Sequence, residues 1–244
     1  MNEPAPGSEQ QASVPGGLVS AVINLVNTGP VLLGAYTIAE LTAVDAVVDF
    51  LEARPSDEVL AEAVRSLAAR QLLVPGSGGH QVQVRGDLGI AVAFEQRARM
   101  VLDARVAGTE SGEPWRVLLL PQPEKICLQY RIDALGVHEI GLYHLDQALT
   151  FLVGWLPGGP PADEDSAADS DSLLASAERS ALVTVTRYTT QGSAEIAGTS
   201  SDLILARRDG RLHVLTRDPA DRAKLIPSPH DGKDVGAMIG GLLA

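Results

Sequence analysis

The feature that most constrains the fold is a stretch of 22 residues without a single base, Pro157 to Glu178, with the same order of elements on either side of it. Before it, residues 101–156 read as strands followed by a helix. After it, residues 181–244 read as strands followed by a helix again. The match lies in the order of elements and not in residue identity. A plan written twice predicts an α+β molecule, a pseudo-twofold repeat of antiparallel strands followed by a helix. The expected organisation is a disordered tail over residues 1–17, an N-terminal half over 18–156, an acidic Pro/Gly-rich linker over 157–178 and a C-terminal half over 179–244.

The strands are set by alternation. Ile126, Leu128, Tyr130 and Ile132 fall on one side of Lys125–Asp133, with Cys127, Gln129 and Arg131 on the other, the pattern of a half-buried antiparallel strand. Ala134-Leu135-Gly136 turns it and Val137–Leu142 returns. Trp115–Leu120 is an apolar run fit for a buried strand, and Gly108–Pro114 before it is a polar turn. In the second half Leu182–Thr189 is a strand, Gln191-Gly192 a turn and Ser193–Gly198 its return. Leu203–Arg207 and Arg211–Thr216 form a hairpin about Asp209-Gly210, where glycine supplies the positive φ of a tight turn.

Helices follow from apolar spacing and caps. Val44, Val47, Val48 and Leu51 predict a helix over Thr42–Ala53, ended by Pro55. Ser56 or Asp57 then caps a second helix reaching about Leu72, with Leu60, Ala63, Val64, Leu67 and Ala68 as its buried stripe. Residues 75–79 read as a loop and His80–Val84 as a short strand. Leu88–Met100, Asp146–Leu156 and Asp234–Leu243 complete the expected helices. Leu18–Val26 fits either a strand or a helical turn, and Val101–Val106 either a continued helix or a strand.

The function classes narrow from charge and motif. The net charge is −12, of which −2 falls on residues 1–17 and −6 on 157–178, so the body of the chain is only −4. Two flexible acidic segments argue against nucleic acid, whose phosphates they repel. The lone Cys127 sits in an alternating apolar run and reads as a small buried hydrophobe in a reducing compartment. No basic, apolar leader opens the chain, and no apolar stretch reaches membrane-spanning length. No nucleophile elbow, phosphate loop or dinucleotide fingerprint occurs. His138 and His144 flank one strand and cannot chelate together; Glu139 reads as a solvated strand residue. The expectation is a cytoplasmic protein that is not an enzyme and uses no metal or cofactor.

The chain from Leu128 onward then carries a resemblance. Its order is a strand (LQYRIDAL), a Gly-Val-His-Glu turn and strand, a helix ending in Pro-Gly, a Thr/Tyr-rich strand (LVTVTRYTT) and the hairpin DLILARRDGRLHVL. A loop with Pro227, Ser228 and Pro229 runs into a terminal helix ending in Leu-Leu. Asp133–Trp155 and Leu182–Leu243 resemble the EspG family, cytosolic chaperones of type VII (ESX) secretion. Gly136, His138, Asp202, Gly210 and Arg211 sit where recurring residues of that family fall. The resemblance implies a central sheet flanked by helical bundles. It also implies a helical secreted client, the tip of a PE–PPE-like heterodimer, and no cofactor. The client-binding positions it implies are Thr109, Glu110, Ser111 and Glu113 in the loop between two central strands. In the last helix it implies Val235, Met238, Ile239 and Leu242. Besides an enzyme whose groups gather from distant positions, two readings compete with it. One is an interaction module of another assembly. The other is a winged-helix regulator, with Val59–Leu72 as recognition helix, His80–Val84 as wing, and Arg65, Arg70 and Arg85 offered to DNA against Glu52, Glu58 and Glu62.

Overall fold

The computed structural model describes residues 16–46, 54–76, 82–162, 170–191, 194–218, 220–221, 223–228 and 234–244. The chain opens with α1 (Gly16–Val26), β1 (Val31–Thr37), α2 (Ile38–Ala43) and α3 (Asp57–Ala69). A small hairpin, β2 (Leu73–Pro75) and β3 (Val82–Val84), leads into α4 (Gly86–Glu95). A meander of four strands follows: β4 (Met100–Ala107), β5 (Arg116–Pro121), β6 (Ile126–Ile132) and β7 (Val137–His144), closed by α5 (Leu145–Trp155). The second half repeats this with α6 (Ser170–Ala175), β8 (Arg179–Gln191), β9 (Ala194–Arg208), β10 (Arg211–Arg217), β11 (Leu225–Pro227) and α7 (Val235–Leu243).

Nine strands make one antiparallel sheet in the order β1-β7-β6-β5-β4-β8-β9-β10-β11. The halves meet where β4 lies against β8 over eight pairs, from Met100↔Arg187 to Ala107↔Ser180. An axis perpendicular to the sheet at this seam exchanges β4–β7 with β8–β11, α4 with α6, and α5 with α7. The faces obey the same exchange. On one face α1 to α4 pack Val22, Leu41, Leu67, Leu88 and Phe94 onto Leu118, Leu128, Tyr130 and Ile140. On that same face α6 sets Leu173 against Ile204, Ala206 and Leu215. The opposite face takes both α5 and α7, with Leu152, Trp155, Val235 and Ile239 over Leu119, Val183, Val185 and Leu205.

Several expectations are corrected by local chemistry. The helix expected over Thr42–Ala53 does not begin at Thr42. Thr37 and Glu40 form a reciprocal capping box that starts α2 at Ile38, and Asp45 in the left-handed region ends it. Residues 47–53 of the expected helix lie outside the described residues, as do residues 1–15 of the expected tail; Gly16 and Gly17 belong to α1. The edge strand β1 carries no clean alternation and was not foreseen. Val64 and Ala68 of the expected buried stripe of α3 are exposed, because α3 rests on its neighbours along the narrower line of Ala63 and Leu67. Lys125–Asp133 is no half-buried strand: Cys127 and Gln129 are as buried as Leu128, since α5 covers their face. The two short strands expected after Gln191 are one 15-residue strand, β9.

The expected linker is largely bound to the fold. Leu212 N–H donates to Pro160 O and Ala162 N–H to Leu212 O, a parallel bridge onto β10. Leu173, in α6, is 3% exposed. Within 157–178 only residues 163–169 lie outside the described residues.

Candidate functional site

Among the described residues no three His, Cys, Asp or Glu side chains gather as a metal-ion set. Cys127 is fully buried, and burial pushes its thiol up to about 12, so it does not ionise at neutral pH. His138 sits at one end of β7 with Nδ1 3.0 Å from Gly136 O, and His144 sits at the other. The buried charges are paired inside the sheet. Arg116 forks onto Asp103 at 2.8 and 2.9 Å, and Arg105 reaches the same carboxylate at 3.2 Å. Within the second half Thr184 of β8 donates to Asp202 of β9 at 2.9 Å, and Asp202 also accepts from Arg217 of β10. Bidentate and charge-assisted bonds of this kind fix side chains in place. Glu40 likewise takes Ser66 at 2.8 Å and Arg70 at 2.6 Å, joining α2 to α3.

The loop expected to bind a partner joins β4 to β5, at the end of the sheet where β8 begins. Thr109 is half-buried, Glu110 and Ser111 are exposed and Glu113 is half-buried. Glu113 N–H donates to Glu110 O, and the Glu113 carboxylate accepts from Glu110 N–H, each at 3.1 Å, which closes the loop on itself. Arg179 donates to that carboxylate at 2.8 Å. This hydrogen bond is the main cause that holds the Glu113 carboxyl below its usual pKa, with the Glu110 N–H adding to it. Two apolar side chains stand out at this end, Trp115 at 38% and Leu135 at 88% exposure. Leu135 lies in the β6–β7 turn, where Asp133 accepts from Leu135 N–H and Val137 N–H. Neither was singled out as a site residue from sequence. Trp115 opens an apolar run and Leu135 sits in a turn, and only the pairing of Trp115 N–H with Ile132 O brings the two turns together.

The expected positions on the last helix divide. Asp234 caps α7 by accepting from Ala237 N–H at 2.7 Å. Val235 and Ile239 turn into the core at 7% and 1% exposure and are not available to a partner. Met238 and Leu242 are half-buried against the same cluster. The reason is helical spacing: residues four apart share one face, and here that face joins the buried cluster on the sheet. The outer line of α7 is therefore Ala237, Gly240, Gly241 and Ala244, all exposed. From Val235 to Leu243 the helix has no polar side chain at all. It packs against α5, starting beside Val153 and ending where Arg187 donates to Leu242 O at 2.9 Å. The loop lies at the end of the sheet where β8 begins, whereas the last turn of α7 lies by Arg187, toward the opposite end of the seam.

The helix–hairpin unit read as a possible DNA-binding element is present as α3, β2 and β3. Its arginines are engaged: Arg65 pairs with Glu62 at 2.6 Å, Arg70 with Glu40, and Arg85 donates to Gln83. Its exposed apolar groups are Val59, Val64 and Val82. Among the described residues no helix is long and apolar enough to cross a membrane. A scan against protein-family models finds no match to the chain, and no curated protein matches it.

Proposed function

We propose that the protein is a cytosolic, non-enzymatic binding protein that covers an apolar helical surface of a client, as an EspG-like chaperone of type VII secretion does. The observation that carries this reading is the outer side of α7. A helix on the outside of a globular protein ordinarily presents charged or polar groups to water. Here that side is Ala237, Gly240, Gly241 and Ala244, smooth enough for another helix to approach closely. The β4–β5 loop with exposed Trp115 and Leu135 offers a second contact region, at the end of the sheet where β8 begins. An apolar client tip buried there is kept from self-association, and the client gains affinity from helix-in-groove contact without any bond being made.

Co-expression with candidate helical heterodimers, followed by one-step purification through the client, tests this. The expected result is a stable complex that Gly240→Leu and Trp115→Ala each abolish. A Cβ at Gly240 meets nothing within 4 Å, so Gly240→Leu leaves the fold intact and blocks only the approach of the client. Retention of the client by both variants would sink the reading. An interaction module of another assembly makes the same surface prediction and differs only in its client. The order of α3 and the β2–β3 hairpin supports a second reading, a winged-helix regulator. Retention of the protein on DNA at low salt, lost as salt rises, would favour it.

A further inference from the structure

The β4–β5 loop is held from the other half of the molecule. Arg179, the first residue of β8, has a side chain only 11% exposed. It donates to Glu113 Oε2 at 2.8 Å, to Gly108 O at 3.3 Å and to Trp155 O at 2.8 Å. These acceptors belong to the far side of the loop, its root and the last turn of α5. A guanidinium serves all three because its donors are fixed in one planar fork, which a lysine ammonium does not reproduce. The root is also pressed against β8. Gly108 is left-handed at φ 78, and a Cβ there would overlap the Glu178 carbonyl oxygen. The carboxylate oxygen that takes Arg179 is the one that takes Glu110 N–H. One atom therefore closes the loop and ties it to the second half.

We propose that Arg179 is the positioning residue of the docking loop: it fixes residues 109–113 in the shape that meets the client and links that shape to the end of α5. The inference rests on the docking function proposed above. A loop already in its bound shape loses less freedom on binding, so affinity rises without a new contact. The link also makes docking reciprocal: a client that favours the held loop favours the seam between the halves by the same factor.

Amide hydrogen exchange on the full chain without client tests the tether, using Arg179→Gln, Glu113→Gln and the control Arg207→Gln. Arg207 pairs with Glu178 next door but not with the loop. Amides of residues 110–113 exchange about tenfold faster in Arg179→Gln and Glu113→Gln, because a charge-assisted bond is lost. Those of Leu102–Val106 and Val117–Leu120 stay at the wild-type rate, and Arg207→Gln matches wild type throughout. Glu113→Gln keeps the side-chain shape on a half-exposed loop and so remains informative if Arg179→Gln fails to fold. Unchanged loop exchange in Glu113→Gln overturns the proposal. So does faster exchange shared equally by β4 and β5, which would make Arg179 an ordinary structural residue. With a client in hand, Arg179→Gln weakens its binding about tenfold and Arg207→Gln does not. Equal binding by both overturns the positioning role and leaves the docking function standing. A loosened loop in a chain that captures no helical client keeps the tether and removes the docking role.

Discussion

The two halves share one plan and differ in how they are covered. In the first, β5 and β6 are buried on both faces, between α1–α4 and α5, and the interior reaches the size of Phe94 and Tyr130. In the second, the face under α6 holds a small cluster of Leu173, Ile204, Ala206 and Leu215. Beside it Thr184, Asp202 and Arg217 occupy sheet positions, and β11 is three residues long. The same strand order can therefore be held by a large apolar layer or by a thin one supplemented with polar pairs. The larger apolar layer on this face belongs to the first half, whereas α7, proposed above to meet a client, and the loop's tether Arg179 belong to the second.

The sharpest way to break this contrast is to hollow each core. Phe94→Ala, from a fully buried position of α4, costs about 3–5 kcal/mol in urea unfolding, and Leu173→Ala in α6 only about 2 kcal/mol. Equal losses would show that the thin layer carries as much as the thick one. The ion pairs give the next contrast. Asp103→Asn removes the counter-charge of the Arg116 guanidinium, whose side chain is 9% exposed, and costs about 3 kcal/mol. Asp202→Asn leaves Arg217, at 37% exposure, able to turn to water, and costs about 1 kcal/mol. Comparable midpoints for the two variants would contradict the difference in burial.

The smallest contrast is in pH. His138 is buried, and burial holds its imidazole below the usual 6.5; the Arg116 guanidinium adds to this and the Gly136 carbonyl opposes it. His213, half-buried on β10, is also held below 6.5 by burial, then by Arg208, with Asp209 opposing. The unfolded chain binds these protons near pH 6.5 and the folded chain only at lower pH. Stability from each is therefore complete above 6.5 and declines as pH falls below it. His138→Gln should flatten the fall in stability from about pH 7 to about pH 5 by less than 1 kcal/mol, and His213→Gln by less than that. A steeper fall in His138→Gln would reverse the sign.

Much of this molecule was legible where a residue's neighbours along the chain decide its state. Ser56 caps α3 as read, and Asp209-Gly210 forms the tight hairpin with both residues left-handed. The repeat of strands and a helix is there in both halves. Reading failed where a distant element decides. By alternation Gln129 belongs to a solvent-facing side, yet it is buried where α5 covers the strand, and the composition of residues 157–162 reads as a linker, yet residues 160–162 pair with β10. Of the candidate site, the loop was legible as a polar turn between strands. The outward residues of α7 were not, because the inward choice of Val235 and Ile239 depends on which side meets the sheet.

The amino-acid order by itself determined the element types, the tight turns and the twofold repetition, because alternation, caps and glycine torsions act within a few residues. Which faces are buried, which valines of a helix meet water and how Arg179 reaches a loop 66 residues earlier were decided only by the folded chain. Burial and ion pairing depend on surfaces that become neighbours after the strands have paired, and no local pattern encodes that adjacency.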